Sequence, residues 1–246
     1  EKVQVEFAFE ASSLPEKELI LAIEEPENFD IFVNDTKIDK NPLEGFWIDT
    51  CFSKIMLPKN ILKTGSNKIR LETVYNNNSN LEALYLLGDF AVNLSGQTKT
   101  LTELPKTLQI GDITAQGLPF YSGKLRYKIP ETNTKNLSEG ACIELPDISA
   151  ACAKIVDGED NEKTLAFKPY STTLEGLNTE KGLAIELVFG RRNTFGPLHL
   201  VENSEKDALG FQRWYGPEQF ETTGKLWQDD YSLIKQGLMK APIIYR

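Results

Sequence analysis

The sequence predicts an all-β protein made of two tandem antiparallel β-sandwiches of jelly-roll type. Three observations predict it. Apolar and polar residues alternate with period two in many short runs, those runs are closed by Gly, Pro, Asn and Asp, and the second half of the chain echoes the first. At 246 residues and 40% hydrophobic content the chain has enough apolar material for sizeable cores and room for one large domain or two ordinary ones.

The strand candidates follow in order. They are VQVEFAF (3–9), ELILAIEE (18–25), FDIFVND (29–35), NKIRLETVY (67–75), DFAVNL (89–94), GKLRYKI (123–129), GACIELP (140–146), CAKIVDG (152–158) and GLAIELVFG (182–190). Each carries the β-branched and aromatic residues that suit a pleated, half-buried surface. Helical patterning is scarce. LPKNILKTG (57–65) suits a single turn, and NSNLEALYLLG (78–88) reads as a short helix or an irregular strand.

The echo concerns order and spacing more than identity. Both halves run strand, short turn, strand ending in Asn-Asp or Asp-Gly, longer loop, strand, Leu-containing turn and closing strand. Val33-Asn34-Asp35 aligns with Val156-Asp157-Gly158. Asn, Asp and Gly tolerate positive φ, which a tight hairpin demands. Between the halves, residues 101–123 lose the alternation and gain Pro and Gly. The expected domains are therefore 1–113 and 114–246.

Charge and composition exclude several functions. A net charge of -9 disfavours nucleic acid, which requires a concentrated basic surface, and disfavours acidic membranes for the same reason. No apolar run reaches the roughly 20 residues needed to span a bilayer. The chain starts inside a strand-like run, as expected of a piece of a longer polypeptide or of a mature form after processing. Its compartment is not determined.

Candidate chemistry is sparse. The single histidine, His199, and the dispersed cysteines Cys51, Cys142 and Cys152 do not make a zinc ligand set. The cysteines lie in apolar runs and read as small buried hydrophobes. Acidic VDGEDNE (156–162) and QDD (228–230) are the candidate calcium loops, though a solvated hairpin tip is the simpler reading of the first. No nucleophile elbow or carboxylate pair stands out, so no catalytic residue is assigned. Glu6, Glu72 and Glu186 alternate with apolar residues as a solvated sheet face would.

The tryptophans are the more suggestive signal. Trp47, Trp214 and Trp227 each border a turn and have polar neighbours, and Tyr215 follows Trp214. An aromatic ring offers the C–H face of a sugar a flat apolar platform, and nearby polar groups bind its hydroxyls. The alternative role for such residues is to cover the ends of a sandwich core. The candidate ligand contacts are Trp47 in the first half and Arg192, His199, Trp214, Tyr215 and Trp227 in the second. Within RRNTFGPLH (191–199), Asn193 is expected to satisfy backbone groups and His199 to hydrogen-bond across its loop.

These residues resemble a family. The strand ending in Val33-Asn34-Asp35, the segment Gly45-Phe46-Trp47 and the turn Leu62-Lys63-Thr64-Gly65-Ser66-Asn67 resemble the sugar-binding-like jelly roll of large bacterial glycoside hydrolases, including rhamnosidase-like ones. Gly117 to Ile129 and RRNTFGPLH resemble the galactose-binding-like module near the C-terminus of such enzymes. Asp35 stands where the family's hairpin has glycine, and Asp157 where it has asparagine. The resemblance implies a non-catalytic accessory region, with carbohydrate and the parent's catalytic domain as partners. The catalytic acids of such enzymes lie in another domain.

Overall fold

The computed structural model describes residues 1–41, 43–77, 79–134, 137, 140–201 and 221–246. Their regular structure is almost wholly β, and they divide into two compact units, Glu1–Pro105 and Lys106–Arg246. The second unit thus takes in residues 106–113, which the sequence boundary grouped with the first half. The N–H groups of Gly111 and Ile113 donate to Leu238 and Gln236, and Ile113 is fully buried in the second core.

The first unit contains two sheets. One has the order β4-β3-β7-β1-β10-β9, with β1 Lys2–Ala11, β3 Asp30–Val33, β4 Thr36–Lys37, β7 Gly65–Val74, β9 Ala91–Ser95 and β10 Thr98–Thr102. The other has the order β5-β6-β2-β8, with β2 Ile20–Glu24, β5 Phe46–Trp47, β6 Asp49–Met56 and β8 Tyr85–Leu87. The chain alternates between the sheets, so each contributes one face to a shared core. Leu21, Ile23 and Ile55 come from one sheet, and Ile31, Val33, Ile69 and Leu71 from the other. Along β7 the buried residues are Asn67, Ile69 and Leu71, the period-two pattern that places one face inside. One pairing departs from the antiparallel expectation, because β1 and β10 run parallel.

In the second unit, a sheet of order β11-β17-β14-β15 comprises β11 Lys124–Ile129, β14 Cys152–Asp157, β15 Glu162–Leu165 and β17 Leu183–Val188. A second sheet has the order β16-β12-β19, with β12 Cys142–Glu144, β16 Ser171–Thr173 and β19 Ile243–Tyr245. A short pair joins β13, Ile148–Ser149, to β18, Gly237–Leu238. Ile143, Ile155, Ile185 and Leu187 are fully buried in its core.

The two units share one strand plan. The order β4-β3-β7-β1 in the first is β15-β14-β17-β11 in the second, with every neighbour antiparallel. Likewise β6-β2-β8 is matched by β16-β12-β19. The side chains fix the register more finely than sequence alignment does. Val33 lies in the first core, whereas in the second it is Ile155, not Val156, that joins the core cluster. Val33 therefore corresponds to Ile155, a slip of one residue that exchanges the faces of the strand.

Both hairpins are tied to the loop that precedes the closing strand. Asn34 and Asp35 have φ of 48° and 67°, the two positive values of a type I′ turn. The Asn34 amide donates to the Ile61 carbonyl at 3.0 Å and to Asn67 Oδ1 at 2.8 Å, and its oxygen accepts from the Lys68 N–H. In the second unit Asp157 accepts from the Asn178 N–H at 2.8 Å.

Candidate functional site

Trp47 sits in a compact aromatic cluster on the first unit. Leu21, Ile23 and Ile55 face the core, so the alternate residues of β2 and β6 face outward. These are Ile20, Ala22 and Glu24 on β2 and Phe52, Lys54 and Met56 on β6. Tyr85 of β8 is paired with Ala22. Trp47 packs against Tyr85 with centroids 5.0 Å apart and planes at 46°, and against Phe52 at 5.9 Å and 63°. Phe52 meets Tyr85 edge to face at 5.4 Å. Ala22 is fully enclosed although it faces away from the core.

Carboxylates border this cluster. Glu24, opposite Phe52, accepts from Asn80 Nδ2 at 3.1 Å and from the Cys51 thiol at 3.6 Å. Burial, followed by the charges of Glu24, Glu82 and Cys51, pushes the Tyr85 hydroxyl up to about 12. The Cys51 thiol is pushed up to about 11 by lost hydration, then by Asp49 and Glu24, so it remains protonated at neutral pH. The expectation of buried cysteines is corrected: Cys51 is exposed, Cys142 and Cys152 are half-buried, and all three are free. Cys142 and Cys152 are the first residues of their strands, and Cys51 lies beyond the stretch of β6 paired with β2, so core-facing alternation gives none of them full burial.

The second unit brings His199 and Trp227 together. Their rings stack with centroids 4.5 Å apart and planes at 24°. Tyr231 also lies against His199, tilted at 50° with centroids 4.5 Å apart, and Phe120 packs edge to face on Tyr231 at 5.3 Å. The segments of His199 and Gln228 exchange polar contacts. Gln228 N–H donates to the His199 carbonyl at 2.8 Å, and His199 Nδ1 lies 3.1 Å from the Gln228 carbonyl. A carbonyl only accepts, so Nδ1 carries the proton. Trp227 Nε1 donates to Asp229 at 3.3 Å.

RRNTFGPLH is a stapled turn. Arg192–Phe195 form one helical turn, α1, and Gly196–Pro197 is cis. Asn193, fully buried, donates to the Ile234 carbonyl at 2.8 Å and accepts from the Ile234 N–H at 2.9 Å. Thr194 donates to the Phe120 carbonyl at 2.9 Å. Arg192 is half-buried, with its Nε and one Nη enclosed. Trp214 and Tyr215 lie outside the described residues.

The acidic loop 156–162 is built around an internal carboxylate. Asp157 is 5% exposed. Its Oδ1 accepts from the Glu159 and Asn161 N–H groups, and its Oδ2 from the Asn161 side chain and the Asn178 N–H. Burial raises its pKa, but these hydrogen bonds prevail and lower it to about 2. Instead of a wholly solvated tip, the loop thus has an enclosed acceptor within an exposed rim. Among the described residues no group of three or more His, Cys, Asp and Glu is placed to hold a metal ion. Nor is any helix among them long and apolar enough to cross a membrane.

Glu186 also departs from the solvated face expected of it. Its side chain is only 6% exposed, pairing with Arg126 at 2.7 Å and Lys124 at 3.5 Å. The Arg126 hydrogen bond holds its carboxyl below the usual range against the opposing effect of burial.

Sequence reasoning singled out Trp47 and the pairing capacity of His199 but missed Phe52, Tyr85, Phe120 and Tyr231. The period-two position of Phe52 gave a faint signal; its neighbours are set by pairings distant in sequence. No protein-family model matches the chain, and no curated protein matches it.

Proposed function

We propose that the two sandwiches form a non-catalytic accessory region of a larger carbohydrate-active enzyme, docking on its catalytic domain and binding glycan through the first unit. The observation that carries this reading is the cluster of Trp47, Phe52 and Tyr85 on an outward sheet face. The shared strand plan supplies an internal control. Leu21 corresponds to Ile143, so Tyr85 corresponds to Ile243 and Lys54 to Ser171, while β5 with Trp47 has no counterpart in the β16-β12-β19 sheet. The outward face of that sheet carries Tyr245, opposite Cys142, but no aromatic residue at the counterpart of Tyr85 and no counterpart of Trp47, which favours a role in recognition for the three-ring cluster. Half-buried rings on an outward sheet face suit the apolar face of a sugar.

In the second unit, Trp227, His199 and Arg192, together with Trp214 and Tyr215, remain the candidate contacts. The bonds from His199 and Asn193 to 228–234 favour a scaffold role for the stapled turn.

Calorimetry against a panel of oligosaccharides, with Trp47→Ala alongside the native chain, tests this reading. The native chain is expected to bind at least one glycan, and the variant to bind it about threefold to tenfold more weakly. A flat response to every glycan would remove the binding role. Robust turnover of aryl glycosides or polysaccharides by this chain alone would overturn the non-catalytic reading.

A further inference from the structure

We propose that β9, the last strand of the six-stranded sheet, pairs antiparallel with β9 of a second copy of this chain and joins two such sheets into one. The inference is independent of the glycan reading and concerns another strand. β9, Ala91–Ser95, is paired on one side only, with β10. Asn93 stands opposite Thr100, Val92 opposite Leu101 and Leu94 opposite Lys99. The Leu101 carbonyl turns away from β9 and accepts from the Ser12 N–H at 2.9 Å. Val92 and Leu101 are therefore a non-hydrogen-bonded pair, and the N–H and C=O groups of Val92 and Leu94 point to the open side of β9. Among the described residues nothing bonds to these groups. Asn93 and Ser95 are exposed beside them.

The sequence of the edge selects a second copy as its occupant. Sheet edges are commonly blunted by charge, by Pro or by shortness. Residues 90–97, FAVNLSGQ, contain no charged residue and no Pro. Among the described residues the other edge strands have four residues or fewer, apart from β11. β11 guards itself, because a copy laid on it about Arg126 would set Arg126 against Arg126 and Lys124 against Lys128. β9 is self-complementary instead. A two-fold axis through Asn93 sets Val92 opposite Leu94 of the second copy, and Leu94 opposite its Val92. Every outward N–H and C=O then has a partner. Val92 shares its face with the buried Leu101, so the apolar row of the core continues across the junction. On the exposed face Asn93 meets Asn93 at the axis, where each amide can both donate and accept. Asp89, the nearest charge in sequence, comes opposite Gln97, so no two charges confront each other.

Sedimentation equilibrium tests the assignment. The contact is one strand wide, so weak association with a Kd of about 100 µM is expected. Measurement up to about 0.5 mM protein in about 0.15 M salt reaches that range and screens the repulsion between two chains of net charge -9. Asn93→Lys and Asn93→Asp each set like charges face to face and should weaken self-association about threefold to fivefold. Asn93 is exposed, so both variants should keep the native thermal transition. An equimolar mixture of the two sets opposite charges together and should associate as tightly as the native chain. In the native chain, hydrogen exchange at the Val92 and Leu94 amides should slow as concentration rises. A native chain that stays monomeric throughout would overturn the proposal and leave the edge to a strand of another protein. Association untouched by either variant, a mixture no tighter than its components, or exchange at Val92 and Leu94 independent of concentration would also overturn it, by moving the contact to another face.

Discussion

Asn193 and Ile234 pair as neighbouring strands do, with the side-chain amide of one meeting the backbone N–H and C=O of the other at 2.9 and 2.8 Å. One fully buried side chain thereby satisfies the main chain of a segment 41 residues away. Asn193→Ala leaves both Ile234 groups unpaired. It is expected to destabilise the protein by about 2–3 kcal/mol in denaturant titration. Asn193→Asp should be no better, since it loses the donor and introduces a charge.

Asp157 makes stability depend on acid. Its folded pKa of about 2 lies below the ordinary 3.8, so the folded state binds its proton less readily than the unfolded state. The stabilisation is complete above about pH 4 and disappears as the pH falls towards about 2. Asp157→Asn places an amide against the donors of Asn161 and Asn178. It should be less stable than the native chain at neutral pH, with less loss between pH 4 and 2. Thermal unfolding at several pH values measures both effects.

Gly237 cannot be replaced. Its φ is +136°, and a Cβ there would lie 2.3 Å from the Gly111 carbonyl oxygen. Gly237→Ala meets rigid backbone in a conformation that disfavours side chains. It is expected to cost more than about 3 kcal/mol, seen as loss of the cooperative thermal transition or of soluble protein.

The His199–Trp227 stack should be visible spectroscopically. Trp227→Ala removes a partly buried ring and exposes the face of His199. A loss of about 1–2 kcal/mol is expected, with a reduced near-ultraviolet circular dichroism signal. An unchanged spectrum would show that the stack does not order this segment.

All nine strand runs read from periodicity contain observed strands, because VQVEFAF and GLAIELVFG state their alternation locally. NSNLEALYLLG resolves as the strand Tyr85–Leu87, since pairing with β2 outweighs its helix-forming residues. The partners of Trp47 were less legible. Phe52 follows a turn closely enough to suggest proximity, but Tyr85 arrives only through β2, which lies between β6 and β8. Asp157 was legible as a turn residue and not as an enclosed acceptor, because Asn178 reaches it from another loop.

The repeated strand plan carries a hazard, since either half offers the other an antiparallel strand in the same place, although β1 and β7 have ten residues each and β11 and β17 six. The central charges oppose such an exchange. Glu6 of β1 stands opposite Arg70 of β7, while Arg126 of β11 stands opposite Glu186 of β17. In the equivalent register, β1 laid beside β17 would confront Glu6 with Glu186, and β11 beside β7 would confront Arg126 with Arg70. Like charges directly across a ladder repel. The inverted pairs thus act as an address code that steers each closing strand to its own half as the chain folds.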